Sequence, residues 1–198
     1  MNSTCTKRIK LVIVGDKGCG KTSLISVFAN HGFPRHYIPA IHGGHAEPMQ
    51  VDRESISLGL WDTEGQADYD RLRPLYYPNA HVLLLCFAID APDSLDNVQE
   101  KWIRELETFC PEIPIVLVGC KLDLRQDERT LEELEKISQG PVEYKQGLAI
   151  AKTIGAKAYM ECSAKLDQGV QELFYQAAKL ALDYQETKMK TKAKCVCQ

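Results

Sequence analysis

The sequence lacks several features that would assign it to other classes of protein. None of its 198 residues lies in a run of 18 consecutive apolar residues, so no membrane-spanning helix is expected. The first seven residues are polar and carry no apolar core of a secretory signal, so secretion is not expected either. The eight cysteines show no zinc-type pairing, and several lie within apolar runs. We therefore expect buried thiols in a reducing compartment rather than a disulfide framework.

A broad basic surface is also missing. The net charge is −3, but the last eleven residues contain four lysines and no acidic residue, which leaves −7 on the other 187 residues. An acidic body argues against general nucleic-acid binding. A basic tail suits attraction to an anionic membrane surface.

Strand-like apolar segments alternate with helical patterns, and no internal repeat interrupts them. Strands are predicted at 8–14, 55–61, 81–89 and 115–119, and helices near 21–30, 94–109, 130–138, 145–154 and 168–184. This alternation predicts one α/β domain with a doubly wound sheet, whose ligand site lies at the carboxyl ends of the strands.

A phosphate-binding signature, G-x-x-x-x-G-K-[ST], follows the first predicted strand and opens a helix. It is matched in full by Gly15-Asp16-Lys17-Gly18-Cys19-Gly20-Lys21-Thr22. Backbone N–H groups of such a loop surround a β-phosphate at the N-terminus of the helix. We expect Lys21 to reach the β- and γ-phosphates and Thr22 to bind Mg²⁺.

Three further motifs resemble those of Ras-like GTPases. They are Asp62-Thr63-Glu64-Gly65-Gln66, which is similar to D-T-A-G-Q, Cys120-Lys121-Leu122-Asp123, which is similar to N/T-K-x-D, and Ser163-Ala164-Lys165. The resemblance implies that Asp62 holds Mg²⁺ through water, that the Gly65 N–H meets the γ-phosphate, and that Gln66 orients the attacking water. It also implies that Asp123 accepts two hydrogen bonds from guanine, a pattern that adenine cannot offer.

The resemblance implies a P-loop NTPase fold of the Ras type, with a mostly parallel six-stranded sheet flanked by helices. The G domain would cover 8–186, after a flexible segment 1–7 and before a lipidated basic tail 187–198. The segments 61–63, 68–75 and 92–95 resemble Rho and Rac sequences. A charged segment within 125–146 matches the Rho-type insert helix, predicted at about 126–139, although an ordinary charged surface helix would look the same.

The implied cofactors are GTP or GDP and Mg²⁺. Catalysis would involve Gln66, Lys21 and Gly65, and Mg²⁺ would be bound by Thr22 and Asp62. The nucleotide contacts implied by the resemblance are Gly15, Asp16, Lys17, Gly18, Cys19, Gly20, Lys21, Thr22, Ser23, Phe33, Tyr37, Ala40, Asp62, Gly65, Cys120, Lys121, Asp123, Ser163, Ala164 and Lys165.

Lys17 stands where these families usually have glycine, beside the position of Gln66. A side chain there is expected to displace the attacking water and to block an arginine finger, which is worth about 10³–10⁵ in rate. The competing interpretation is that the Lys17 ammonium stabilises transition-state charge itself. We favour obstruction, because the rate depends on the geometry of the water as well as on charge.

Other departures surround the same position. Glu64 replaces alanine, and we hypothesise an ion pair between Lys17 and Glu64. Ala40 replaces the threonine of the first switch that binds Mg²⁺ in the triphosphate state, so GTP is expected to order that loop only weakly. Cys120 has a weaker hydrogen-bonding side chain than asparagine, but Rac-like proteins have threonine there, so guanine binding is expected to survive.

Four of the five histidines lie at 31, 36, 42 and 45. The spacing His-x-x-His would suit zinc, but no further ligand set accompanies it, so we favour a solvated polar loop. Replacement of the family's aromatic segment by 42–45 leaves the choice of effector open.

The C-terminal sequence Cys195-Val196-Cys197-Gln198 fits the C-a-a-X prenylation signal loosely, with a terminal residue that favours farnesyl on Cys195. One lipid chain binds a membrane only marginally, and the preceding lysines would supply the second signal. The alternative is a solvated basic tail with cysteines that carry no lipid.

Three functions remain open. The first is a membrane-tethered GTP hydrolase that acts in cytoskeletal, polarity or cell-wall signalling. It would be a lipid-anchored monomer on the cytoplasmic face of the plasma membrane or endomembranes, with an additional cytosolic pool. It would bind effectors through the first switch, 33–46, and the second switch, 62–78, and be controlled by exchange factors, activating proteins and a dissociation inhibitor. The second is a binding module locked with GTP, and the third is a scaffold that binds no nucleotide. We expect a GTPase with slow hydrolysis, impaired by Lys17, Glu64 and Ala40.

Overall fold

The computed structural model describes residues 7–29, 32–34 and 45–196, the last six by their backbone alone. Within these ranges, six strands form one sheet in the order β2-β3-β1-β4-β5-β6. The strands are β1 Lys7–Gly15, β2 His45–Val51, β3 Glu54–Asp62, β4 Val82–Ala88, β5 Ile115–Cys120 and β6 Ala158–Glu161. Only β2, which pairs with β3, runs antiparallel to its neighbour. The predicted mostly parallel six-stranded sheet is confirmed.

Helices cover both faces of the sheet. They are α1 Lys21–Phe28, α2 Pro92–Asn97, α3 Ile103–Phe109, α4 Glu128–Glu135, α5 Tyr144–Thr153 and α6 Val170–Val196. Successive side chains of β1 point to opposite faces, so Leu11 packs in one core with Phe174 of α6, and Val12 packs in the other with Trp102. All seven residues of β4 are buried, as expected for a central parallel strand covered on both sides.

Two helix predictions differ from the structure. The segment predicted as one helix over 94–109 consists of α2, a π-helical turn at Val98–Trp102 and α3. The helix predicted to end near 184, before a tail from 187, continues to Val196 as α6. Neither glycine nor proline interrupts this segment, and its alanine, lysine, glutamine and methionine residues all favour helix.

Smaller differences concern the proposed termini and the insert. Lys7, predicted to belong to a flexible segment, begins β1 and forms an ion pair of 2.5 Å with Glu54. Within the insert predicted at about 126–139, α4 is confined to Glu128–Glu135, and Asp127 caps it by accepting a hydrogen bond of 3.0 Å from the Thr130 N–H. Within the described part of the chain, no helix is long and apolar enough to cross a membrane.

Candidate nucleotide-binding site

The phosphate-binding loop joins β1 to α1 at the carboxyl edge of the sheet. Gly20 precedes α1 with φ of 113°, a left-handed conformation that other residues rarely adopt. Lys21 is 6% exposed, and its ammonium donates hydrogen bonds of 2.8 Å to the carbonyl oxygens of Gly15 and Asp16. Its charge therefore lies inside the curve of the loop, where a phosphate would need it.

Asp16 fastens this loop to the far end of α2. One carboxylate oxygen accepts a hydrogen bond of 2.7 Å from the Asn97 amide, and the other accepts one of 2.8 Å from the Trp102 indole. The π-helical turn contains Trp102 and follows Asn97 directly, and it thereby brings both donors to the same carboxylate. Asp16 thus fixes the position of the loop rather than only contributing to a phosphate contact.

Thr22 and Asp62 meet beside the loop, as the resemblance implies. The Thr22 hydroxyl donates a hydrogen bond of 2.5 Å to Asp62 Oδ2. The other oxygen, Oδ1, is buried and accepts no hydrogen bond from the residues that the structure describes. Burial raises the pKa of Asp62, and the Thr22 hydrogen bond opposes this shift. A buried carboxylate oxygen with spare acceptor capacity beside a hydroxyl suits a hydrated Mg²⁺, so the residues fit the implied metal.

Gly65 of the second switch packs directly on the phosphate-binding loop. A β-carbon at this position would lie 2.4 Å from both the Gly15 carbonyl oxygen and the Lys17 backbone nitrogen. Only glycine allows this approach without displacing one of the two segments. The Gly65 N–H is therefore carried on a backbone in contact with the loop that is predicted to bind the phosphates.

Arg73 holds the second switch against α3. It is 1% exposed, and its guanidinium donates to the carbonyl oxygens of Glu64 (2.9 Å) and Gln66 (3.2 Å), on either side of Gly65. Glu105 of α3 accepts a further hydrogen bond of 2.7 Å from Arg73. The guanidinium also lies 4.6 Å from the centre of the Trp102 ring. The phosphate-binding loop and the second switch thus both contact the segment around Trp102.

A cavity of about 240 Å³ lies between the phosphate-binding loop and the ends of β5 and β6. Nine of its lining residues are predicted nucleotide contacts: Gly18, Gly20, Ser23, Phe33, Cys120, Lys121, Asp123, Ala164 and Lys165. Leu24, Leu124 and Cys162 also line it, and they were not predicted. The geometry therefore brings three sequence motifs into one pocket.

The residues predicted to read the base are held in this pocket by side-chain contacts. Asp123 Oδ1 accepts a hydrogen bond of 2.6 Å from the Ser163 hydroxyl. Lys121 adopts a left-handed backbone with φ of 60°, and its ammonium lies 3.0 Å from Asp90. These contacts orient the Asp123 carboxylate and lay the Lys121 stem along the pocket.

Comparisons with known proteins agree with this geometry. The Ras family matches residues 10–183 of the chain. This chain belongs to the Ras family, in its Rho-type branch. GTP-binding protein rho5 of Schizosaccharomyces pombe is 55% identical over 179 residues, or 90% of each chain. GTP-binding protein rho1 of the same organism is 53% identical over 92% of this chain and 91% of its own. GTP-binding protein RHO1 of Candida albicans is 50% identical over 99% of this chain and 98% of its own.

The predicted Rho-type family and fold are therefore confirmed. Other predicted features of this Rho-type chain lie outside the described residues, namely Tyr37, Ala40 and the histidines at 31, 36 and 42. The structure describes the backbone of Cys195 but not its side chain. Among the described residues, no group of three histidine, cysteine, aspartate or glutamate side chains is arranged to hold a metal ion.

The ion pair predicted between Lys17 and Glu64 would join two side chains of different exposure. Lys17 is exposed, and Glu64 is half-buried. The Glu64 charge acts on Asp62, since it contributes to raising the pKa of that carboxyl. The pairing of Lys17 with Glu64 stays a prediction.

Replacement of Gly65 by alanine tests the contact between the second switch and the loop. We expect Gly65→Ala to destabilise this Rho-type protein by about 1–3 kcal/mol in urea unfolding, because a methyl group there overpacks the backbone. Gly140→Ala is the matched control, since a β-carbon at Gly140 meets nothing within 4 Å, and we expect a change within about 0.5 kcal/mol. Equal effects of the two substitutions would refute this account of Gly65.

Proposed function

We propose that this Rho-type protein binds GTP and GDP with Mg²⁺ and acts as a membrane-tethered signalling switch with slow hydrolysis. The observation that carries the proposal is the cavity in which Asp123, Ala164 and Lys165 face the phosphate-binding loop. Asp123 supplies two acceptor oxygens for the two donors on the edge of guanine. Lys21 supplies positive charge for the phosphates at the other end.

Each residue has a role in the proposed reaction. Thr22 and Asp62 would hold Mg²⁺, which when bound neutralises charge on the β- and γ-phosphates. The Gly65 N–H would bind the γ-phosphate, and Gln66 would orient the attacking water. Lys17 and Glu64 support slow turnover for two reasons. The Lys17 side chain would occupy space that the attacking water needs, and the Glu64 carboxylate would reduce the positive potential that the γ-phosphate needs.

The alternative is a GTP-locked binding module that engages effectors constantly. The observation that favours it is again the presence of Lys17 and Glu64, together with the action of the Glu64 charge on Asp62.

In either case we propose that effectors and regulators dock on the switch regions. Leu72 and Leu75, exposed at 51% and 73%, support the second switch as such a surface. The prenylated tail and the inner-leaflet location remain part of the proposal.

Nucleotide identity provides the decisive test. Protein purified without added nucleotide is denatured, the released nucleotide is identified by chromatography, and the affinities for GDP and ADP are then compared. We expect guanine nucleotide and a strong preference for GDP. Protein with no measurable affinity for either would favour a scaffold that binds no nucleotide.

Substitution of Asp123 tests the reading of the base. We expect Asp123→Ala to weaken GDP binding about 100-fold, since it removes two charge-assisted hydrogen bonds that together contribute about 3 kcal/mol. Asp183→Ala, at an exposed position of α6, is the control and should bind GDP normally. If GDP affinity were the same in both variants, guanine would not be read by Asp123.

A further inference from the structure

Four reduced cysteines cluster beneath the nucleotide site. Cys19 lies in the phosphate-binding loop, Cys86 in β4, Cys120 at the end of β5 and Cys162 just after β6, and all four belong to one apolar core. Each is at most 3% exposed. Such a group of thiols is ordinary packing when nothing else reaches it.

Two of these cysteines, Cys120 and Cys162, differ from the others because they border the 240 Å³ cavity. This cavity is the proposed site of the guanine base, and it is called the base pocket below. They are also neighbours across the sheet, because the Cys162 N–H donates to the Gly119 carbonyl (2.9 Å) and the Leu122 N–H donates to the Cys162 carbonyl (3.0 Å). These two backbone hydrogen bonds lie on either side of Cys120, so the two thiols face each other in the floor of the pocket.

Cys120 has the more positively charged surroundings of the two. Hydrogen bonds from the Cys162 and Cys86 thiols hold the pKa of Cys120 well below its ordinary value, and the charges of Lys21 and Lys121 act in the same direction. The hydrogen bond with Cys120 and burial raise the pKa of Cys162. The thiolate is the form that reacts with oxidants, and of these two thiols Cys120 is the one whose surroundings favour it, with Cys162 beside it as the resolving thiol.

We propose that Cys120 is an oxidation site, at which hydrogen peroxide converts Cys120 and Cys162 into a disulfide in the floor of the base pocket. The Cys120 thiolate attacks one peroxide oxygen, the O–O bond breaks, and a sulfenic acid and one water form once a proton is taken up. The Cys162 thiol then attacks the oxidised sulfur, the S–O bond breaks, and a second water leaves. Two thiols are oxidised by two electrons, and one hydrogen peroxide is reduced to two waters.

The disulfide would tie together the two segments that read the base. Cys120 begins the motif that contains Asp123, and Cys162 precedes Ser163, which donates a hydrogen bond to Asp123. Closing two thiols to an S–S distance of about 2 Å must move the floor on which the base rests. The oxidised protein therefore binds guanine nucleotide more weakly, an inference that rests on the proposed guanine site.

Bound nucleotide protects the pair in two ways. The base covers the cavity that gives the oxidant access to both thiols. The phosphates offset the charge of Lys21, which makes the Cys120 thiolate less favourable. The nucleotide-free protein is therefore oxidised faster than the nucleotide-bound protein.

Peptide mapping after oxidation tests the proposal. The full-length protein is stripped of nucleotide with EDTA, treated with hydrogen peroxide, alkylated and digested, and a second sample is treated with GDP and Mg²⁺ present. We expect a cross-linked peptide containing Cys120 and Cys162 in the stripped sample, formed roughly tenfold more slowly with GDP. We expect oxidised protein to take up fluorescent GDP poorly until a dithiol reductant restores it.

Variants separate this reaction from oxidation elsewhere. Cys120→Thr and Cys162→Ser should each abolish the cross-link, whereas Cys110→Ser, in the other core, should leave it intact. A cross-link to Cys86 or Cys19 instead, or an equal rate with and without GDP, would overturn the proposal. Reduced protein that binds GDP but forms no disulfide refutes this inference alone, whereas reduced protein that binds no nucleotide refutes the proposed function.

Discussion

Replacement of Arg73 by methionine is expected to destabilise the protein by about 3–5 kcal/mol. The guanidinium is almost fully buried, and its ion pair with Glu105 is largely shielded from water. Methionine keeps the apolar stem against Trp102 but leaves the Glu105 carboxylate without its cation. Glu105 would retain only the hydrogen bond from the Tyr77 hydroxyl among the partners that the structure describes. Urea unfolding followed by fluorescence measures the loss.

The controls distinguish a buried charge from a general effect of losing an arginine. Arg71→Met removes an exposed guanidinium two residues away and should change stability by no more than about 0.5 kcal/mol. Combining Arg73→Met with Glu105→Gln should recover part of the loss, since the uncompensated carboxylate is then absent. A loss below about 1 kcal/mol for Arg73→Met would mean that solvent reaches Glu105 and that the second switch is not held as described.

The contiguous parts of the site could be predicted from sequence. The phosphate-binding loop is a run of eight residues after an apolar strand, and the chemistry of such a run depends on its own backbone. The strands β1 and β4 were predicted within one or two residues, because their apolar runs leave few alternatives to a buried parallel strand. Asp123 and Ser163 meet because each follows the end of a neighbouring strand.

The residues that hold the site in place were not predicted, because they lie far along the sequence from the residues that they contact. Asn97 and Trp102 bind Asp16 across 81 and 86 residues, and no local pattern indicates that they would meet it. The π-helical turn that positions Trp102 adds a backbone irregularity inside a regular helical pattern. Arg73 looks like an ordinary surface arginine in sequence, and only the packing of α3 reveals that it is buried. Cys162 could have been found, since it stands directly before Ser163 and opposite Cys120.

Lys17→Gly is expected to raise GTP hydrolysis stimulated by a Rho-type activating protein by about 10³–10⁵, the range that an arginine finger contributes. Lys17 is exposed, and its backbone nitrogen adjoins Gly65 at the contact between the two loops. In the proposed reaction its side chain therefore starts near the place where water, Gln66 and an incoming arginine would come together. Single-turnover release of phosphate from preloaded GTP, with and without the activating protein, gives both rates.

Lys17→Met distinguishes bulk from charge at this position, because it keeps most of the side chain and removes the ammonium. If obstruction limits the rate, Lys17→Met stays as slow as the parent protein and only Lys17→Gly is accelerated. If the ammonium instead stabilises transition-state charge, both variants turn over more slowly than the parent.

The same proteins combined with Glu64→Ala give a double-mutant cycle on nucleotide affinity, and additive effects would rule out coupling between Lys17 and Glu64. Coupling together with acceleration by Lys17→Gly would mean that the pair holds the second switch while it blocks the water. The protein would then accumulate with GTP because its own residues, rather than a missing regulator, limit hydrolysis.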